Sequence, residues 1–117
     1  MLRSGLFVSM VAIAGAAQAA SFPITGSYGD PASCAAFKAS GTTGAMKVPG
    51  GTLVLPDRFL AQDRECVVTG KDKLPGIFTV TCHGAGGDVA SFANVEKKKS
   101  GIWFAEGKAG SIFKRCP

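Results

Sequence analysis

The sequence predicts a mainly β fold, a small antiparallel β-barrel or sandwich with one short N-terminal helix, stapled by two disulfides. The chain has 117 residues, which is enough for one domain. After residue 45, short segments rich in β-branched and aromatic residues alternate with Gly, Pro and Asp turns, a pattern typical of antiparallel strands. Strands this short need a closed barrel or a second packed sheet to bury one face.

The N-terminus has the pattern of a secretory signal peptide. Met1–Ser4 carries one positive charge at Arg3, an apolar run follows, and Ala17-Gln18-Ala19 forms an Ala-x-Ala cleavage site. The alternative is a transmembrane anchor, but a span needs about 20 apolar residues and this run is shorter. We therefore predict a signal peptide over residues 1–19 and one mature domain over residues 20–117, directed to the periplasm or secreted.

The first part of the predicted domain contains an extended segment and the helix. Phe22 to Tyr28 is predicted as a first strand or an extended arm. Asp30 and Pro31 are typical of the N-cap and first position of a helix, which we expect to run to about Ser40. Gly41-Thr42-Thr43-Gly44 would end it.

The rest of the chain is predicted as strands and turns. Residues at alternate positions of a strand share a face, so the alternation around Val80 is expected to direct Phe78 and Cys82 inward. Phe92, Trp103 and Phe104 are further candidates for the core. The predicted strands are Met46–Val48, Thr52–Leu55, Glu65–Thr69, Ile77–Cys82, Val89–Val95, Gly101–Ala105 and Ser111–Cys116.

The four cysteines predict two disulfides, because an even number of cysteines in a short exported chain is typical of a bridged framework. Three pairings are possible. We favour Cys66 with Cys82, which would join neighbouring strands, and Cys34 with Cys116, which would join the two ends of the domain. The alternative, a metal site around Cys82 and His83, lacks the short-spaced ligand pairs of zinc sites.

Catalytic and cofactor motifs are weak. Ser91, His83 and Asp88 are the residues from which a hydrolase could be built, but no G-x-S-x-G segment surrounds a serine. Asp63 and Glu65 would share a face if both lay in one strand. The glycine-rich segments do not match phosphate-binding loops, so we predict no cofactor and no enzyme.

Basic charge is the feature that stands out, with a formal net charge of +5. Lys97, Lys98 and Lys99 form a cluster between two predicted strands, and Lys114 lies near the C-terminus. Such a patch attracts anionic surfaces, although lysines also protect exposed strand edges. We predict a non-enzymatic binding or inhibitor-like module for a protein or an anionic envelope component. Nucleic acid is not expected, and a His83 hydrolase or a structural envelope protein is the alternative.

The pattern of motifs also supports a resemblance. The leader, the segment Ile24-Thr25-Gly26-Ser27-Tyr28, the cysteine spacing and the terminal Arg115-Cys116-Pro117 resemble small exported four-cysteine proteins of Gram-negative, alphaproteobacterial species. That resemblance implies a periplasmic location and brings no known activity with it. The predicted architecture is also similar to that of periplasmic inhibitors of lysozyme and of proteases. The chain lacks the Ser-Ala-Ser-Gly-like segment of the lysozyme inhibitors, so no inhibitory residue carries over.

Overall fold

The structure, a computed structural model, describes residues 20–117. The predicted signal peptide, residues 1–19, lies outside the described residues. The chain forms eight strands and one helix in the order β1, α1, β2 to β8. Their bounds are β1 Tyr28–Gly29, α1 Pro31–Ala45, β2 Thr52–Val54, β3 Arg58–Ala61, β4 Arg64–Lys71, β5 Ile77–Gly84, β6 Gly87–Lys98, β7 Gly101–Glu106 and β8 Ala109–Arg115. Within residues 20–117, no helix combines the length and apolar character that crossing a bilayer requires.

The strands form a closed antiparallel barrel in which each strand pairs with its neighbour in sequence and β8 returns to β1. The closing strand, β1, has only two residues. Tyr28 pairs with Val54 of β2 on one side and with Arg115 of β8 on the other. Closure gives every strand a neighbour on each side, and the seam between β8 and β1 consists of two residue pairs, Tyr28 with Arg115 and Gly29 with Lys114. The predicted mainly β fold is therefore confirmed, in its barrel form.

The barrel interior is filled by side chains, as expected for eight strands. Phe59, Phe78 and Phe104 are buried, as are the inward residues around them. The extended segment before β1 adds Phe22, whose ring packs edge-on against Phe78 at 5.2 Å and whose N–H donates to the Pro56 carbonyl at 2.7 Å. Residues 20–27 are thus an arm that plugs one end of the barrel, and only Tyr28 of the predicted first strand is in a strand.

The helix α1 covers the outer face of β2 and β3. Leu53 of β2 and Leu60 of β3 are register partners and are fully buried beneath the helix. They form one cluster with Cys34 and Ala45 of α1. The helix does not end at Ser40 as predicted. Its backbone breaks at Gly41, where φ is 67°, and then resumes to Ala45. The predicted stop at this glycine is therefore a kink.

Asp30 caps the helix and ties it to the barrel. Its carboxylate accepts hydrogen bonds from the Ser33 N–H (2.9 Å), the Ser33 hydroxyl (2.9 Å) and the Thr52 N–H of β2 (2.8 Å). Burial alone would raise the pKa of the Asp30 carboxyl, but the hydrogen bonds from Thr52 and Ser33 outweigh it and place that pKa below its ordinary value of 3.8. The predicted N-cap thus has a second role, fixing the start of β2.

Both favoured disulfides are confirmed. Cys66 and Cys82 are directly opposite each other on β4 and β5, inside the barrel. Cys34 of α1 bonds to Cys116, which follows β8, and this bridge closes a sequence separation of 82 residues. One bridge therefore belongs to the barrel core and the other holds the helix against the end of β8. Disulfides of this kind persist in oxidising compartments outside the cytoplasm.

Four details of the sequence prediction are wrong. Met46–Val48 is a turn that follows α1, and β3 was missed because its four residues directly follow the Pro56-Asp57 turn. Phe92 points outward and is 56% exposed. Trp103 is half-buried on the outer surface, so Phe104 alone of the three aromatic candidates lies in the core.

Candidate functional site

The structure separates the three clustered lysines. Lys97 is the register partner of the fully buried Ile102, so it starts from the inner face at the end of the barrel, where its side chain is exposed. Lys98 pairs with Gly101 on the outer face, and Lys99 lies in the turn between β6 and β7. The cluster in the sequence is therefore not a single patch, and only Lys98 lies on the outer wall of the sheet.

Lys98 instead forms a row with Lys114. Gly101 lies between them, and a Cβ built on Gly101 would be 3.2 Å from the Lys114 Cα. Two strand spacings place Lys98 and Lys114 roughly 10 Å apart on the outer surface. Because Gly101 has no side chain, nothing projects between the two lysines. We call this pair the cationic row.

An apolar strip lies beside the cationic row. Trp103 of β7 pairs with Ile112 of β8 one step along the same outer face. The indole lies flat on β8 at Gly110, where a Cβ would come within 2.4 Å of the ring. Ile112 is 48% exposed. The outer wall of β7 and β8 therefore presents an aromatic ring and an aliphatic side chain next to two ammonium groups.

A groove of about 670 Å³ between α1 and β8 adjoins this strip. Its helix wall is one stripe of α1, Pro31, Cys34, Ala35 and Lys38, at the three- and four-residue spacing that shares a helix face. Its strand wall includes Ile112 and Lys114, and its floor includes Gly29. We call it the α1–β8 groove. It places Lys38 and Lys114 on opposite walls of an otherwise largely apolar surface.

A second polar site lies at the open end of the barrel, opposite the arm. Arg64 and Glu106 form a two-fold hydrogen-bonded ion pair, with nitrogen–oxygen distances of 2.6 and 2.5 Å. The hydrogen bonds that Arg64 donates to the Glu106 carboxylate raise the pKa of the Arg64 guanidinium, against the opposing effect of burial. Small cavities of about 240 and 290 Å³ flank the pair.

The sulfur ligands that a metal would need are engaged in the same region. The sulfurs of Cys66 and Cys82 and a carboxylate oxygen of Glu106 lie within 4.8 Å of one another. The sulfurs are bonded to each other, and the metal ligand of cysteine is the thiolate. The carboxylate meanwhile accepts from Arg64, whose guanidinium lies 3.6 Å from the Cys82 sulfur. The geometry is that of an ion pair covering a disulfide.

His83 and Asp88 are brought together, but Ser91 is not. The His83 ring Nδ1 lies 2.7 Å from the Asp88 carboxylate across the β5–β6 hairpin, with both side chains exposed. Ser91 pairs with the buried Val80 and therefore faces inward, on the other side of the sheet. The structure therefore pairs His83, which could act as a base, with the Asp88 carboxylate that would orient it. Ser91 does not lie beside them.

The other carboxylate pair considered from the sequence is also divided. Asp63 lies in the β3–β4 turn with a φ of 58°, whereas Glu65 lies in β4 and forms an ion pair with Arg58. They do not share a strand face.

Two features of these sites were not found from the sequence. Lys38 follows Cys34 by one helical turn, so the predicted bridge to Cys116 would have placed it near Lys114. Arg64 and Glu106 are 42 positions apart and meet only because the barrel brings β4 and β7 together at its open end.

Comparison of the chain with models of known protein families, with curated proteins and with solved structures finds no match. The fold and the sites described above therefore carry the functional argument alone.

Proposed function

We propose that the protein is a non-enzymatic binding module of the periplasm, or a secreted one, and that it binds an anionic partner through the outer wall of β6, β7 and β8. The cationic row carries this proposal. Lys98 and Lys114 flank a side-chain-free glycine next to the Trp103–Ile112 strip. A charged row beside an aromatic and an aliphatic contact is the composition of a recognition surface, in which charge steers the encounter and apolar contact adds affinity.

The charge on this surface is compensated at Lys98 but not at Lys114, because Glu96, the register partner of Trp103, lies on the same outer face. Lys98 has one acidic neighbour, Glu96, at 3.2 Å. Among residues 20–117, no carboxylate lies within ion-pair distance of Lys114 or Lys38. Most other carboxylates are paired elsewhere, with Arg58, Arg64 or His83. Lys114 and Lys38 are therefore available to an anionic partner, whereas Lys98 is shared with Glu96.

Rigidity supports a binding role. The outer wall belongs to a closed barrel with a disulfide inside it, and the adjoining helix is fixed by the second disulfide. A surface that is already ordered loses little conformational entropy on binding, which favours affinity.

The test uses the protein exported and purified in its oxidised form, immobilised and exposed to envelope extract at low and high salt. We expect the double variant Lys98→Glu, Lys114→Glu to retain at least about tenfold less partner, equivalent to about 1.4 kcal/mol. The matched control is Lys47→Glu, Lys108→Glu, which changes the net charge equally. Lys108 lies at the other end of β8, about 20 Å from Lys114.

The two variants separate a surface-specific role from general attraction. Three results together support the proposal. The control retains the partner normally, the Lys98, Lys114 variant loses it, and high salt weakens binding to the wild-type protein. Equal losses in the two variants would mean that net charge alone attracts the partner. Unchanged retention in both would overturn the assignment of the binding surface.

A His83 hydrolase is the second candidate, because the His83–Asp88 contact is the base–orienter half of a nucleophilic site. It requires a nucleophile other than Ser91. Its test is turnover of ester and peptide substrates by the exported protein and by His83→Ala. Turnover lost in that variant would support the hydrolase, and turnover that survives it would exclude this site.

A further inference from the structure

We infer that the α1–β8 groove binds a single aliphatic acyl chain ending in a carboxylate, with the chain along the groove and the carboxylate between Lys38 and Lys114. This inference rests on the proposed function in one respect, since Lys114 belongs to both surfaces. The groove volume, about 670 Å³, falls in the range of roughly 300–1,000 Å³ found for small-molecule sites.

The walls of the groove offer an aliphatic ligand contact along its length. Pro31, Cys34 and Ala35 present carbon and sulfur atoms from the helix, and Ile112 presents a half-exposed aliphatic side chain from the strand. From Pro31 to Lys38 the helix rises by about 10 Å. Removing such apolar surface from water favours binding of an aliphatic chain.

The floor of the groove is open because β1 carries glycine there. A Cβ on Gly29 would lie 2.7 Å from the Thr52 carbonyl oxygen and 3.0 Å from a Leu53 methyl carbon. A larger residue would therefore displace the neighbouring strand. Glycine satisfies the close packing of β1 on β2 and also leaves the floor of the groove without a side chain.

The chemistry of the groove favours an acyl chain over a peptide. A peptide brings backbone N–H and C=O groups that need partners when they are buried. A peptide could obtain them only from the Ala109–Phe113 edge of β8, which lies beyond the two pairs of β8 with β1. Among the polar side chains near the groove, Asp30 is occupied by Ser33 and Thr52, and the Arg115 guanidinium lies against Gly26.

The charge of the groove favours a carboxylate head. Lys38 and Lys114 face each other across the apolar surface, and within residues 20–117 neither has a carboxylate within 4.0 Å. Asp30 is the one acidic side chain of the lining, and its oxygens already accept three hydrogen bonds. An anionic head therefore meets two available ammonium groups, whereas a cationic head would meet repulsion.

Binding can be followed through the single tryptophan of the chain, Trp103, whose register partner Ile112 lines the groove. The exported, oxidised protein is titrated with decanoate, decanol and decylammonium below their aggregation concentrations, with calorimetry in parallel. We expect saturable binding of decanoate, about tenfold weaker binding of decanol, which lacks the charge, and still weaker binding of decylammonium. Acetate, which lacks the chain, should produce no saturable change.

Substitutions at four exposed positions test whether decanoate binds in the α1–β8 groove. Ala35→Phe, which fills the groove, and Lys38→Glu should each weaken decanoate binding by about tenfold or more. Ile112→Ser should weaken it several-fold, whereas its matched control Phe92→Ser, also an exposed aromatic or aliphatic position of the barrel wall, should leave it unchanged. Each variant is first compared with the wild-type protein by circular dichroism and thermal unfolding, so that loss of binding is not confused with loss of fold.

Several outcomes would overturn the inference. Equal affinity for decanoate and decanol would remove the carboxylate assignment, and unchanged binding in Ala35→Phe would remove the groove. Binding to anionic phospholipid vesicles without binding of monomeric decanoate would identify a membrane surface as the ligand. If decanoate fails while the Lys98, Lys114 variant still loses its envelope partner, the inference is wrong and the proposed function stands.

Discussion

Asp30 should contribute more to the free energy of unfolding than the helix N-cap that the sequence predicts at this position. In Asp30→Ala, the helix loses its N-cap, which is worth about 1 kcal/mol. The Thr52 N–H and the fully buried Ser33 also lose their acceptor, at about 1–3 kcal/mol for each buried group left without a partner. Asp30 is only half-buried, so water partly replaces these bonds. We therefore expect a loss of about 2–3 kcal/mol.

Urea unfolding of the oxidised protein, followed by far-ultraviolet circular dichroism, measures this loss. With a slope of about 1–1.5 kcal/mol/M, the midpoint should fall by about 2 M. The matched control is Asp88→Ala, which removes a carboxylate that is 67% exposed and bonded only to His83. That control should stay within about 0.5 kcal/mol of the wild type. A loss below about 0.5 kcal/mol in Asp30→Ala would refute the argument that this carboxylate joins helix and barrel.

The contribution of Asp30 should also depend on pH in a defined direction. Its pKa in the folded protein is lowered from 3.8, so its ionised form is favoured by folding. The stability that it supplies is complete above the ordinary pKa and is lost as the pH falls through the lower folded value. The advantage of wild type over Asp30→Asn, which keeps one oxygen acceptor, should therefore be constant near neutrality and shrink below about pH 4. An advantage that persists unchanged at pH 2 would contradict this.

Three further predictions concern stability. In a double-mutant cycle with Arg64→Met and Glu106→Gln, the coupling energy should be about 1 kcal/mol, since Arg64 is 38% exposed and water screens the pair. Replacing both cysteines of the Cys34–Cys116 bridge by alanine should lower the unfolding free energy by about 2–4 kcal/mol, read from the urea midpoint; the large loop sets the upper value. Phe78→Ala should cost about 3–5 kcal/mol whereas Phe92→Ala costs less than about 1 kcal/mol, because only the first ring is buried; comparable losses would show that the inward face of the sheet is wrongly assigned.

The sequence was sufficient to predict the antiparallel strands and the two disulfides. The strands follow from local alternation and turn residues, and the disulfides follow from the number of cysteines. The alternation around Val80 correctly oriented β5, and the pairing of Cys66 with Cys82 followed from two neighbouring strands. The choice between barrel and sandwich depends on β1, which has two residues and no periodic pattern to detect. Its pairing with both β2 and β8 is a property of the whole sheet.

The misplaced aromatic of β6 has a simple physical cause. In a strand, a shift of one residue moves a side chain to the opposite face. Ala93 and Val95 are buried residues of β6 that face inward. Phe92 immediately precedes Ala93, so it faces solvent, although its side chain is larger than that of Ala93 or Val95. Size and hydrophobicity suggested a core residue, whereas the register with Phe78 and Phe104 of the flanking strands decides the face.

The candidate sites could be predicted only in part because they join distant elements. The charge of Lys98 and Lys114 is visible in the sequence, but their separation across Gly101 is a result of the β6–β7–β8 register. The sequence also predicted a single cluster of Lys97, Lys98 and Lys99, because it placed the three adjacent residues between two strands. Alternation along β6 divides it, and the row that forms instead includes a lysine from the C-terminal strand.

The two disulfides lie in different parts of the core. Cys66–Cys82 lies in the barrel core, whereas Cys34–Cys116 belongs to the smaller cluster beneath α1. Opening the second bridge leaves the inward side chains of the barrel in place and releases the helix wall of the groove, which then depends on Asp30 and on the contacts with Leu53 and Leu60. Ligand binding in the groove should consequently be more sensitive to loss of this bridge than barrel formation is.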